Sequence, residues 1–131
     1  MTTDVVMFLD DFDMLDCRIY ELEGVVDRFI VIEGDHTFSG IPKPYHLPES
    51  GYPGITVVRV ELGDVSMIRH QEMGWVTPST EDNWKREEKQ REAARSILAS
   101  LPPDEVVIYG DLDEIPRREV IKAFDGAPAS L

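Results

Sequence analysis

The 131-residue sequence has one cysteine, Cys17, which excludes an internal disulfide and fits a reducing compartment. No apolar run approaches the roughly 18–20 residues that a membrane-spanning helix needs. The start, Met-Thr-Thr-Asp, lacks the basic segment and apolar core of a secretory signal, so the chain is expected in the cytoplasm. Basic residues are scarce. Thirteen Lys and Arg face 26 Asp and Glu, giving a net charge of −13. Nucleic-acid binding needs a basic surface that displaces counterions, so that class is set aside, and docking to anionic lipid with it. A phosphorylated small molecule is compatible with this charge only with local help, from a divalent cation or a few well-placed Lys and Arg.

What is present is an ordinary globular composition, 42% hydrophobic and 30% charged, long enough for one domain around one core. Apolar runs at 4–9, 27–34, 55–62 and 104–110 read as four strands. Between the first two, "DDFDMLDCRIYELEG" reads as a helix. Phe12, Leu15, Ile19 and Leu22 share one face, Asp16, Arg18 and Glu21 fall elsewhere, Asp10 or Asp11 caps the start and Gly24 ends it. Cys17 within this helix reads as a packed thiol rather than a nucleophile. Residues 79–101 form the clearest helix, with Ser79 and Asp82 as a capping box, Ala94, Ile97, Leu98 and Leu101 as the apolar stripe, and Pro102-Pro103 as the stop. Another helix starts after Pro116. Residues 35–54 are a Gly-, Pro- and Ser-rich loop long enough to suggest a function. Residues 63–78 show no clear pattern.

Strands alternating with helices or long connections predict an α/β domain with a mainly parallel sheet and helices on both faces. In such sheets ligands bind beyond the carboxyl ends of the strands. Two polar features stand there: Glu33 after the second strand, and "DLDE" after the fourth. The pair Asp111 and Asp113 follows a buried strand, and Gly110 is expected to let the chain leave it. Hard cations such as Mg²⁺ or Mn²⁺ prefer carboxylate oxygens and complete their shell with water and substrate phosphates, so one or two carboxylates suffice. A solvated acidic turn is the plain alternative. Glu114 reads as support for the turn or a cap for the next helix.

The segment "DLDEIP" resembles the Asp-x-Asp-Glu-Ile-Pro of glycosyltransferase family 17, the β-1,4-mannosyl-glycoprotein β-1,4-N-acetylglucosaminyltransferases. "FLDDFDMLDCRIYEL", "VVDRFIVIEGDHTFSGIPKP" and "NWKREEKQR" resemble further segments of that family, in order. Asp10-Asp11 departs from the family's Asn-Glu. The resemblance implies a nucleotide-sugar transferase of the GT-A type, using Mn²⁺ or Mg²⁺. It makes Asp113 the most direct metal ligand and Asp111 a second ligand or a ribose contact. It places Glu33 near the nucleotide and makes Lys43, Arg18 and Arg91 candidates for phosphate or structural contacts. The donor implied is a UDP-sugar, UDP-N-acetylglucosamine foremost, the acceptor a carbohydrate, and the reaction inverting. A complete GT-A domain is longer, so the chain is expected to be its donor-binding half: a truncated form, a fragment, half of a split enzyme that a second chain completes, or a reduced domain with another role.

Other residues carry blander readings. Thr37, Phe38, Ser39 and Gly40 shape the donor loop or simply a turn. Trp84 reads as helix packing, and residues 86–91 as a charged face with pairs such as Glu87 and Arg91. His36, His46 and His70 show no ligand spacing. No residue reads as the general base, so a nucleotide-sugar-binding module without transfer activity is the second reading. A phosphohydrolase ranks third, because its Asp-x-Asp belongs at the first strand and here follows the fourth.

Overall fold

The computed structural model describes residues 1–37, 41–62 and 80–124. The strands are β1 (Thr2–Phe8), β2 (Arg28–Gly34), β3 (Ile55–Val60) and β4 (Val106–Gly110). They form one sheet in the order β3-β2-β1-β4, and all pairs are parallel. Helix α1 (Phe12–Leu22) joins β1 to β2, α2 (Thr80–Ser100) precedes β4, and the short α3 (Arg118–Ala123) follows it.

Alternation along the strands sorts the core into two faces. Val6, Phe8 and Val31 point to one side, where they pack with Leu15 of α1 and with Leu47. Leu22, Phe29 and Ile108 extend that side to Ile121 of α3. Val5, Ile30 and Ile32 point to the other side, against Ala94 and the Ile97, Leu98 and Leu101 stripe of α2. The sheet is thus covered on both faces, which is why β1 and β2 read as continuous apolar runs. The chain is an α/β fold of the predicted kind. Among the described residues no helix is long and apolar enough to cross a membrane.

Helix α1 begins where expected, with the Asp11 carboxylate accepting the Met14 N–H at 3.0 Å. It ends just before Gly24, whose φ is +89°. Three expectations for this helix are corrected. Cys17 is exposed, not packed. Phe12 is 43% exposed, although it belongs to the apolar series. Arg18 does not lie away from the buried face: it is fully buried on it, between Leu15 and Leu22. Helix α2 also differs from expectation. Its middle carries the predicted Glu87–Arg91 pair at 2.6 Å, but Arg86 and Gln90 are buried. Gln90 donates through Nε2 to the Ile32 carbonyl at 3.2 Å, so a polar stripe continues the apolar one onto the sheet. The cap by Ser79 and Asp82, the packing of Trp84, residues 63–78, and Phe38, Ser39 and Gly40 lie outside what is described.

Candidate functional site at the carboxyl ends of β1 and β4

Strand β1 is central, with β2 and β3 on one side and β4 on the other. The connections run one way from β1 and then the other, so the crevice of an open α/β sheet falls at the carboxyl ends of β1 and β4. The acidic segment stands there. After Gly110 the chain makes a turn closed from both ends: the Glu114 N–H donates to the Asp111 carbonyl at 3.0 Å, and the Asp111 N–H donates to Glu114 Oε1 at 3.0 Å. Glu114 therefore supports the turn, as expected. Gly110 contributes less than expected. It is not among the glycines with positive φ, and a Cβ on it would meet Glu114 at an ordinary 3.7 Å. The reciprocal hydrogen bonds, not glycine freedom, take the chain out of the strand.

Within the turn, Leu112 packs against the cluster holding Val6 and Phe8. With Leu112 turned inward, its neighbours Asp111 and Asp113 are left outward and exposed. Neither carboxylate makes a hydrogen bond or ion pair within the described residues.

Arg18 lies underneath. Its Nε and Nη2 donate to the two oxygens of buried Asp4 at 2.8 and 2.7 Å. Its Nη1 donates to the carbonyls of Asp111, Leu112 and Glu114 at 3.0, 3.3 and 2.9 Å. One guanidinium thus fastens the acidic turn to β1 and α1. Expected as a phosphate or structural contact, Arg18 is engaged inside the protein, with no exposed surface.

Glu33 and Lys43 are brought together. Glu33 is fully buried and accepts from Lys43 Nζ at 2.8 Å, the His46 N–H at 2.8 Å and the Leu47 N–H at 3.0 Å. Lys43 Nζ also donates to the Pro44 carbonyl at 3.1 Å. Their bonding is that of a loop anchor holding residues 43–47 against the sheet. Arg59 adds to it, donating to the Leu47 carbonyl at 3.0 Å and lying 4.6 Å above the Tyr45 ring. Asp35 closes the other side by accepting the Leu62 N–H at 2.8 Å and contacting His36 Nδ1 at 2.8 Å. Burial pushes the Asp35 carboxyl up, but the hydrogen bonds from His36 and Leu62 together outweigh it and hold it below the ordinary carboxylate range. Burial, with the charges of Asp35 and Glu61, pushes the Tyr45 phenol up. Because β1 lies between β2 and β4, Glu33 and the acidic turn are about 10 Å apart across the sheet.

Arg91 reaches the site from α2. Its hydrogen bond and charge pairing with Glu87 raise its pKa, and Tyr109 and Asp111 add to the effect. The guanidinium, 40% exposed, is therefore within electrostatic range of the acidic turn. On the α1 side, the half-exposed Phe12 ring meets Phe8 edge-on at 5.2 Å and His46 at 5.9 Å, which ties the start of α1 to the anchored loop.

Among the described residues no group of three or more His, Cys, Asp or Glu side chains is arranged to hold a metal by itself. Two outward carboxylates are a donor set that suits Mg²⁺ or Mn²⁺, which keep waters and take further oxygens from a phosphorylated ligand. Asp113 and Asp111 fit that chemistry.

Asp4, the partner of Arg18, was missed. Its signal was an acid at the head of an apolar strand together with a base on the apolar face of the next helix, since a buried charge needs a partner. Gln90 gave no comparable signal.

The family model of glycosyltransferase family 17 matches residues 1–131. The human and rat β-1,4-mannosyl-glycoprotein 4-β-N-acetylglucosaminyltransferases are each 32% identical to the chain over 128 residues, and the mouse protein is 31% identical. Each alignment covers 88% of this chain and 22% of the relative, so the chain spans less than a quarter of the length of these proteins. No solved structure matches the chain.

Proposed function

Because the chain belongs to glycosyltransferase family 17, we propose that it forms the donor-binding corner of a metal-dependent N-acetylglucosaminyltransferase. The proposed donor is a UDP-sugar, UDP-N-acetylglucosamine foremost, the acceptor is a glycan hydroxyl, and transfer inverts the anomeric centre. The observation that carries the reading is the outward pair Asp111 and Asp113, whose carboxylates have no hydrogen bond or ion pair among the described residues, at the switch between β1 and β4. The choice of N-acetylglucosamine and of a glycan acceptor is supported by the relatives, which are mannosyl-glycoprotein N-acetylglucosaminyltransferases.

Asp113, in the middle of the turn, is assigned the direct contact to Mn²⁺ or Mg²⁺. Asp111 is assigned a second contact, or a hydrogen bond from a ribose hydroxyl. When bound, the cation neutralises the diphosphate and stabilises the charge it gathers on leaving. Glu114 keeps the turn closed, and Arg18 holds its carbonyls in place from beneath. This preorganisation matters, because a carboxylate pair that must reorder on binding loses affinity. Arg91, near Asp111 and half-exposed, is placed to attract a donor phosphate. Glu33 and Lys43 serve by anchoring the 43–47 loop rather than by touching the nucleotide.

A second reading is favoured by the share of the relatives' length that the chain covers. In it, the chain is a nucleotide-sugar-binding module, and the acceptor site and base belong to another segment or a second chain.

Titration calorimetry with UDP, with and without Mn²⁺, tests the shared core of both readings. The expected result is binding that needs the metal and is abolished by Asp113→Ala. Metal-independent binding, no binding, or binding unchanged in Asp113→Ala overturns both. UDP release in the presence of acceptor sugars then separates the transferase from the module.

A further inference from the structure

A second cleft, of about 380 Å³, opens at the opposite end of the sheet, where the amino ends of β1, β2 and β3 meet the 49–57 segment. It shares no residue with the acidic turn. Its wall is rigid. Tyr52 and Ile55 exchange both backbone hydrogen bonds at 2.9 Å across Pro53-Gly54, and Gly54 has φ +78°, the pattern of a type II turn. Gly51, at φ +69°, cannot carry a side chain, because a Cβ there would come within 2.3 Å of the Ile55 carbonyl oxygen. Two glycine-dependent bends thus set the backbone that carries Tyr52, half-exposed at 50%, beside the cleft.

Arg28 forms the inner wall. Its Nη2 reaches Glu105 at 3.3 Å. Its Nε–H is buried with no hydrogen-bond partner, the single such side-chain atom among the described residues. Around it the cleft carries the hydroxyls of Ser50 and Thr56 and the carboxylates of Asp27 and Glu49. Asp27 already accepts the Thr2 N–H at 2.7 Å, Glu49 lies 3.9 Å from Arg59, and Arg28 is paired with Glu105, so the cleft offers no unpaired charge to an ionic ligand. An aromatic ring, hydroxyls and carboxylate acceptors together suit a neutral ligand with many hydroxyl groups and an apolar ring face.

We propose that this cleft is a second, separate saccharide-binding site, with Tyr52 as the stacking platform and the Ser50 and Thr56 hydroxyls and the Asp27 and Glu49 carboxylates as hydrogen-bonding groups. The choice of sugar rests on the carbohydrate chemistry of the proposed function, whereas the cleft geometry does not. A site there would grip a part of the glycan remote from the reacting hydroxyl.

The test is an NMR titration of the 131-residue chain with mannotriose and, separately, chitotriose, observing the Tyr52 ring and Thr56 amide signals. Saturable shifts in both signals are expected with at least one sugar. Tyr52→Ala is expected to weaken binding about tenfold while leaving the thermal midpoint in place, since the exposed ring carries no core contact. Asp113→Ala is expected to bind the sugar unchanged. No saturable shift with either sugar, or equal affinity in folded Tyr52→Ala, overturns the proposal. A chain that binds UDP with Mn²⁺ but fails this titration loses only the second site. One that binds sugar at Tyr52 but not UDP loses only the donor reading.

Discussion

Arg18 and Asp4 meet in the interior as a forked pair, Nε to Oδ2 at 2.8 Å and Nη2 to Oδ1 at 2.7 Å, and the third arm of the same guanidinium holds the acidic turn. Removing one member leaves a buried charge without its partner. Arg18→Met is expected to destabilise the chain by about 3–5 kcal/mol in urea unfolding. In the double variant with Asp4→Asn the loss should be smaller than the sum of the single losses, because neither charge is then stranded. Simple additivity would show that the pair is not coupled.

Glu33 is the corresponding anchor for the 43–47 loop. Glu33→Gln removes the ion pair with Lys43 and turns an acceptor into a mixed group facing three donors. A loss of about 3 kcal/mol is expected. Hydrogen exchange should accelerate at the His46 or the Leu47 amide, whichever faces the new NH₂ group, because Gln keeps only one acceptor oxygen. Unchanged protection at those two amides would contradict the anchor.

Asp113→Asn separates binding from stability. The side chain is exposed and makes no hydrogen bond or ion pair among the described residues, so the thermal midpoint should move by no more than about 0.5 kcal/mol equivalent, while metal-dependent UDP binding is lost. Glu114→Gln is expected to behave differently. It weakens the bond that closes the turn, lowers stability by about 1 kcal/mol, and reduces UDP affinity without removing it.

Asp35 makes part of the stability depend on pH. Its carboxyl titrates lower in the folded state than in the unfolded chain, so the folded state binds fewer protons. Its contribution is fully present above the unfolded value of about 3.9 and is lost as pH falls through the folded value. Asp35→Asn should therefore be less stable than the parent chain at pH 7, by about 1 kcal/mol. The gap should close toward pH 2.5. Chemical denaturation at the two pH values measures it.

Strand positions, the parallel sheet and the acidic turn were legible because apolar runs and a terminal Asp-x-Asp are local signals. Arg18 was misplaced for a specific reason. Counting only apolar residues at helical spacing outlines Leu15, Ile19 and Leu22, and discards the base that stands three residues after the first and four before the last. The bond between Glu33 and Lys43 left no periodic trace, because it crosses an irregular loop. Cys17 and Phe12 were misjudged because periodicity gives the direction of a side chain and not the extent of the surface that covers it. Gln90, within a densely charged stretch, could not be told from its exposed neighbours without the Ile32 carbonyl it meets.

The pairing of β1 with β4 also fixes an order of events during folding. Arg18 and the Asp111 carbonyl are 93 residues apart in the chain. The carboxylates of the acidic turn are therefore aimed by a long-range closure, the slow kind of step in folding. During synthesis β1, α1 and β2 emerge early, with Arg18 already facing Asp4 but with no carbonyls to hold. The acidic corner is finished only when β4 docks on the far edge of β1. A substitution that slows that docking delays the appearance of binding without altering any residue that touches the ligand.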